Sequence, residues 1–433
     1  MVQRRGVSAN LTTLCTSVAF ERGAYFGLQS TLALYLADVL LDDRAAGTVW
    51  LLSELVTASG AQGVALAAVV TGLFGALATL APLIGGIIAD RLIGPHRAIL
   101  LGGLMMAVGH GLLIAEAMII PALVIIAIGS GFFKGSVAAR LSGLYAAEDP
   151  GRVEGFRTFY LAINIAGLIA PLVIGTVGEK AHWHAGFALS CAAMIAGLTL
   201  YAYGFRADAG EAVSAASVAS PTETRQKRSA PIALIGLGIA TAFLTVPNAQ
   251  LTNAYLLWAK EGFVRDLAGW RMPVSWLIAA DGLVSLAALL ASGAFWAWRD
   301  RRHGAAAAET KALVGACFVV AAGASLTLAA LLHGRTGVPI MWGLAFQLLN
   351  SLGLANVLPA VMASFGQASP YRLGATVMAG FYLSLFAGGL IGTWFASQFV
   401  TLPITTFWLL HALCGVAGAM ILALLNWYPI RRS

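Results

Sequence analysis

Apolar stretches of bilayer length, each closed off by charge, recur along the whole chain and leave few folds open to it. Such segments run over residues 12–41, 60–91, 97–117, 119–145, 154–178, 184–204, 231–260, 274–298, 310–333, 338–365, 372–400 and 403–428. A helix needs about 20 apolar residues to cross a hydrocarbon core, and charge clusters between such runs mark the loops. The pattern predicts an all-α membrane protein with twelve transmembrane helices. Several segments exceed the crossing length, which predicts tilted helices or helices that project beyond the bilayer.

Composition agrees, with 59% hydrophobic and only 10% charged residues, where a soluble domain carries about a quarter of its residues as charge. The net charge of +7 suggests an acidic partner until its distribution is followed. Arg4, Arg5, Arg91, Arg97, Arg140, Arg152, Arg206, Arg225, Lys227, Arg228, Arg299, Arg301, Arg302, Lys311, Arg372, Arg431 and Arg432 all fall on one side of the predicted topology. Positive loops face the cytoplasm, so both termini are expected there, in a cell membrane of the bacterial inner-membrane kind. Topology accounts for the charge, and nucleic-acid binding is not needed. Cys15, Cys191, Cys317 and Cys414 stand singly in apolar runs without metal or disulfide spacing and read as small buried hydrophobes. The amino terminus has no short apolar run with a small-residue cleavage site, so the first segment is expected to be a retained span.

The longest polar interval between spans begins at Arg206 and ends in Gln226, Lys227, Arg228 and Ser229, rich in Ser, Ala, Thr and Glu. Its composition suits a flexible cytoplasmic linker over 206–230, dividing an amino-terminal six-helix bundle (1–205) from a carboxyl-terminal one (231–433). Two bundles so joined are the expected organisation of the major facilitator superfamily fold, whose halves rock about a midplane site. Between spans two and three, Gly85 to Arg97 resembles that superfamily's cytoplasmic motif. Gly86, Asp90, Arg91, Gly94 and Arg97 are its candidate gating residues between the halves, because glycines allow close helix contact and an aspartate accepts hydrogen bonds at a helix end. A chance turn is the alternative.

Charge also enters the spans. Glu21 and Arg22 lie adjacent in the middle of the first apolar segment, where a charged side chain costs roughly 2.5 to 3.5 kcal/mol on insertion scales and usually faces a polar cavity and a partner. Glu21, Tyr25 and Gln29 recur every four residues, and Arg22 shares their broad face. In span five Arg157, Tyr160 and Asn164 recur at helical spacing, and Lys134 is a lone cation in span four. A polar site inside a bundle is one reading. The others are a locally neutralised structural pair, interhelical hydrogen bonding, and, for Arg157, snorkelling to the interface.

Four stretches resemble the proton-dependent oligopeptide transporter family. Phe20 to Leu36 is similar to its Glu-x-x-Glu-Arg-Phe-x-Tyr-Tyr-Gly-Met-Arg segment, and Gly85 to Arg97 to its form of the loop motif. Gly129 to Lys134 resembles its span-four lysine motif, and Phe156 to Gly167 its Phe-Tyr-x-x-Ile-Asn-x-Gly signature. The resemblance implies that Glu21 and Lys134 form a charge pair sensitive to proton binding, that Arg22 reaches a substrate carboxylate, and that Tyr25, Tyr160 and Asn164 line the pocket. The chemistry is sound, since arginine offers a fixed fork of donors to a carboxylate and a buried carboxyl responds strongly to burial and to a nearby cation.

This chain also departs from that pattern. Val18 and Gln29 replace a Glu and an Arg of the span-one motif, Ala249 precedes Gln250 where the family has a Glu, and Leu354 follows Gly353 where it has another. Asp281 in span eight stands where the family usually carries Asn, and is expected either to take a proton or cation role or to hydrogen-bond structurally in its neutral form. Gln250 and Asn253 in span seven, Gln347, Asn350 and Asn356 in span ten and Trp394 in span eleven make the rest of the carboxyl half neutral and polar. They read as pocket residues or as helix–helix glue.

The expected function is a secondary active, proton-coupled importer of small peptides or peptide-like carboxylate compounds, working by alternating access. A transporter of a non-peptide organic anion, siderophore-like or drug-like, is the alternative. The seven His are dispersed, and neither a metal-spaced acid and histidine cluster, a Gly-x-Ser-x-Gly turn nor a phosphate loop occurs, so no enzyme activity, metal or cofactor is expected. The expected partners are a small-molecule substrate, protons and the lipid bilayer, with the chain acting as a monomer.

Overall fold

The computed structural model describes residues 2–40, 48–145, 151–204, 231–267, 269–367 and 374–427. The expected linker over 206–230 lies outside the described residues. Helices occupy α1 (Val2–Val39), α2 (Leu52–Ser59), α3 (Gly63–Ile88), α4 (Pro95–Leu112), α5 (Ile119–Ser142), α6 (Gly151–Ala170), α7 (Thr176–Lys180) and α8 (Trp183–Gly204). They continue with α9 (Pro231–Ala249), α10 (Ala254–Gly262), α11 (Trp276–His303), α12 (Ala308–His333), α13 (Ile340–Gln367), α14 (Gly374–Ser397) and α15 (Ile404–Trp427).

Among the described residues ten helical segments are long and apolar enough to cross a membrane, and the protein is a multi-pass membrane protein. The two remaining expected spans correspond to α1 and α4. Both are long enough to cross, but α1 carries Glu21, Arg22 and Gln29 mid-helix and α4 includes His96, Arg97 and His110. Their polarity marks them off from the lipid-like helices.

Three spans are irregular. A π-helical turn at Ala89–Ile93 follows α3 and another at Pro171–Gly175 joins α6 to α7; Pro171 opens the second, where its missing N–H breaks the regular ladder. The seventh expected span, 231–260, is broken rather than continuous. After Pro247, the Gln250 N–H turns back to the Pro247 carbonyl at 3.1 Å and the Asn253 N–H to the Gln250 carbonyl at 2.9 Å, before α10 begins at Ala254. The break carries both Gln250 and Asn253.

Two compact units emerge. The first comprises Met1–Leu32, Asp43–Ala58 and Leu80–Thr222, the second Ala33–Asp42, Ser59–Thr79 and Glu223–Ser433. In the first, α4 packs against α5 and α8, and Ser17 Oγ donates to the Gly197 carbonyl at 2.7 Å, tying α1 to α8.

In the second unit, α12 packs against α13 and α15, and α11 against α13. A Cβ on Gly315 would sit 2.6 Å from the Gly353 carbonyl oxygen, so α12 and α13 touch backbone to backbone, an approach only small residues permit. Leu244, Ala316, Val319, Val357, Val361 and Phe365 form its apolar core. Arg265 finishes α10 by donating to the carbonyls of Ala259 and Lys260, each at 3.0 Å, and of Met272 at 2.6 Å. Short strands flank it: β1 (Phe263–Val264) pairs in parallel with β4 (Val338–Pro339), and β2 (Asp266–Leu267) antiparallel with β3 (Trp270–Arg271).

The cysteines are free. Cys15 and Cys414 are buried as expected, but Cys317 is exposed and Cys191 only half-buried. In a helix whose outer face meets lipid, a small apolar thiol needs no interior position.

Candidate functional site

The densest group of charge inside the first unit is built on two turns of α1. Glu21 is fully buried and Arg22 is 9% exposed. Arg22 grips the neighbouring Glu21 carboxylate with both Nε and Nη2, a two-pronged pairing that is stronger and more directional than a single contact. One turn on, the Arg22 guanidinium lies 5.1 Å from the centre of the Tyr25 ring. The Lys134 Nζ of α5 stands 3.9 Å from the same ring centre. Gln29 then donates to the Tyr25 hydroxyl at 3.0 Å. Glu21, Arg22, Tyr25 and Gln29 share one face of α1 and Lys134 of α5 joins them, but the charge pair implied between Glu21 and Lys134 is replaced by local pairing. Glu21 is held by Arg22, and Lys134 rests on the π face of Tyr25, an attraction worth about 0.5 to 2 kcal/mol.

Close packing holds α1 in place. A Cβ on Gly27 would fall 2.6 Å from Ile174, and one on Gly167 of α6 would meet the Phe26 ring at 3.5 Å. On α6, Asn164 donates to the Tyr160 carbonyl at 2.7 Å, so its amide serves its own helix. Tyr160 is 61% exposed, its ring against Phe159. The candidate gating motif forms a tight end to α3. The Gly94 N–H closes the π turn onto the Ala89 carbonyl at 2.8 Å with Gly94 at φ +77°, a backbone setting that favours glycine. Pro95 then opens α4 at its first position. Arg91 and Arg97 are exposed, and a Cβ on Gly86 would make only ordinary contact, at 3.9 Å, with Gly135. The Asp90 side chain lies outside the described residues.

The second unit has a different character. Gln250 donates to the Gly392 carbonyl at 2.8 Å, Asn253 to Ala68 at 2.9 Å, Gln347 to Leu277 at 2.8 Å and Asn350 to the side-chain oxygen of Asn248 at 2.9 Å. All four are buried, and among the described residues their own amide oxygens accept no hydrogen bond. Asn356 joins α13 to α11, accepting from Ser292 at 2.8 Å and from the Trp296 indole at 2.5 Å. Trp394 is 61% exposed and packs edge-on against Phe395.

Asp281 sits in the middle of this α11–α13 seam. Ser351 hydrogen-bonds its carboxyl, while Oδ1 is buried without a partner. Ser285, one turn along, meets the same Ser351 hydroxyl at 2.9 Å. An unpaired carboxylate is expensive in such surroundings, whereas a protonated carboxyl there is a donor as well as an acceptor.

Three residues escaped the sequence reading. His110 is fully buried on α4, with Nδ1 2.7 Å from the Met106 carbonyl, and it hydrogen-bonds the Ala24 backbone within the electrostatic reach of Glu21. His96 Nδ1 meets the Tyr201 hydroxyl at 3.0 Å, and buried Arg140 hydrogen-bonds the same hydroxyl. Single histidines scattered along a chain show no spacing signal. Only helix pairing reveals them.

Known proteins bear on this arrangement. A family model described as POT family matches residues 96–208. The chain is 34% identical over 202 residues to a di-/tripeptide transporter of Lactococcus lactis subsp. cremoris, a match covering 46% of this chain but only 38% of that protein's length. It is 26% identical to the peptide transporter YePEPT of Yersinia enterocolitica subsp. palearctica, across 98% of this chain and 94% of that protein. Its fold is similar to the crystal structure of a peptide transporter POT in complex with alafosfalin, with a TM-score of 0.80, 22% identity and coverage of 98% of this chain and 97% of that one. That likeness gives the major facilitator fold.

Proposed function

We propose that the chain is a member of the POT family and a secondary active transporter, a proton-coupled importer of small peptides or peptide-like carboxylate compounds that works by alternating access. The observation that carries this reading is the buried Glu21–Arg22 pair beside Lys134 and Tyr25. Protonation of Glu21 frees the Arg22 fork for a substrate carboxylate, so a proton on Glu21 and a substrate on Arg22 are bound together.

Tyr25, Gln29, Tyr160 and Asn164 are assigned to substrate contact from the first unit, and Gln250, Asn253, Gln347, Asn350 and Trp394 from the second. Asp281 is assigned a second proton role, supported by its unpartnered oxygen and the hydroxyl beside it. Gly86, Asp90, Arg91, Gly94 and Arg97 are assigned to gating between an amino-terminal bundle (1–205) and a carboxyl-terminal bundle (231–433) joined by the 206–230 linker. The chain is read as a monomer in a bacterial inner membrane with both termini cytoplasmic, and no covalent step is assigned to it. A non-peptide organic anion is the less favoured cargo, because the relatives carry peptide-transport names.

Uptake into liposomes tests this reading. With an inward pH gradient, the purified chain should accumulate a dipeptide above its outside concentration, and collapse of the gradient should return it to equilibrium. Failure of any dipeptide, tripeptide or carboxylate analogue to accumulate, with no response to pH, contradicts it.

A further inference from the structure

Helix α11 carries a continuous exposed stripe in which Leu283, Ala287, Leu290, Ala294, Trp298 and Arg301 recur every three or four residues. Leu290 is 65% exposed and Trp298 44%, and Phe295 stacks beside Trp298 with ring centres 6.1 Å apart. The stripe is apolar until its last turn, where it ends in Arg301, Arg302 and His303, all exposed. The Arg302 guanidinium lies 4.7 Å from the Trp298 ring centre, which anchors a cation on the aromatic that ends the apolar face.

The acid in this turn is already committed elsewhere. Asp300 takes Arg299 at 3.3 Å and Lys311 at 3.0 Å and accepts the Ala306 N–H at 2.9 Å. Glu309, in the first turn of α12, is exposed, and among the described residues neither Arg301 nor Arg302 has an ion-pair partner. An aromatic at the interface with unneutralised arginines just beyond a lipid-facing stripe complements a molecule with a negative head and an apolar tail.

We propose that the end of α11 binds an anionic phospholipid, its headgroup phosphate on Arg301 and Arg302 and an acyl chain along the stripe from Leu283 to Trp298. A free phosphate offers the charge without the chain, and a zwitterionic lipid offers the chain without net charge.

The test is native mass spectrometry of the full chain taken from vesicles of equal parts phosphatidylglycerol and phosphatidylcholine. The wild type should retain phosphatidylglycerol about twentyfold or more over phosphatidylcholine, at about fivefold for each arginine. Arg301→Ser with Arg302→Ser should lower that retention by more than about tenfold, at about fivefold per basic residue lost, and leave phosphatidylcholine retention unchanged. Arg301→Lys with Arg302→Lys should keep most of it, and Trp298→Leu should lower it about threefold through the lost stacking. Equal retention of the two lipids by the wild type overturns the proposal whether or not the serine variant folds. Unchanged retention in a folded serine variant, or displacement of the lipid by millimolar inorganic phosphate, overturns it as well.

Discussion

The two units solve the problem of polarity inside a membrane in opposite ways. In the first, polarity is ionic and concentrated on α1, where Glu21, Arg22, Tyr25 and Gln29 form one stack with Lys134 at its side. In the second it is mostly neutral and dispersed, with Gln250, Asn253 and Gln347 each donating to a carbonyl of another segment and Asp281 set in the α11–α13 seam. The difference has consequences because the two kinds of contact respond differently to a proton. An amide bonded across helices is worth about 0.6 kcal/mol on average and does not titrate. Removing one partner of a buried ion pair strands the other at about 3 to 5 kcal/mol. The ion pair of the first unit is thus a contact that a proton can alter, and the amide contacts of the second are not.

Substitutions that cross this line should sharpen it or break it. The largest effect is expected of Arg22→Ala, which strands Glu21 and removes the carboxylate fork. Affinity for carboxylate substrates should fall by about thirtyfold or more, read by competition against a labelled dipeptide, while carboxyl-capped analogues lose far less. Equal losses for both would make Arg22 a structural residue and erase the distinction. Next comes Lys134→Gln, which removes the cation above Tyr25. Uptake should drop roughly tenfold, in line with a desolvated cation–π contact, and an unchanged rate would detach Lys134 from the site.

Asp281→Asn probes the acid of the α11–α13 seam. Its seam with Ser285 and Ser351 should survive the change to an amide. The account expects maximal uptake within about twofold of wild type and a flattened pH profile; loss of all uptake would move the coupling centre into the second unit. The smallest effect belongs to Gln347→Leu, which removes one interhelical bond of about 0.6 kcal/mol, at most about 1.7. A small fall in thermal stability is expected, with a few-fold loss of substrate affinity, as for one neutral contact among several. Unchanged affinity would remove Gln347 from the proposed substrate contacts, and a loss of more than about tenfold would move the main binding energy from the charges of α1 to the amides.

Much of the fold is legible in the sequence, because bilayer crossing writes long apolar runs that composition alone exposes. The cluster on α1 is legible too, since Glu21, Tyr25 and Gln29 share a helical face by spacing. Partner choice is not. Glu21 pairs with its neighbour Arg22 while Lys134 turns to the Tyr25 ring, a competition decided by rotamers and distances that no spacing records. The same holds for His110, which meets Ala24 only because α4 lies beside α1. The break between α9 and α10 interrupts a segment that reads in the sequence as one continuous span over 231–260. Its consequence, a turn that presents Gln250 and Asn253, depends on which backbone groups fold back. The amides of the second unit are polar in sequence whether they face a ligand or a carbonyl, and only the structure shows that each donates to protein.

The central claim is that the Glu21 carboxyl couples proton to substrate, and Glu21→Gln in proteoliposomes tests it most directly by comparing two modes of transport in one preparation. The glutamine keeps the shape of the pair with Arg22 and cannot titrate. The account predicts that uphill dipeptide accumulation under a pH gradient is lost while exchange of labelled for unlabelled dipeptide across the same membrane continues. Full uphill accumulation in this variant, at wild-type exchange rates, contradicts it.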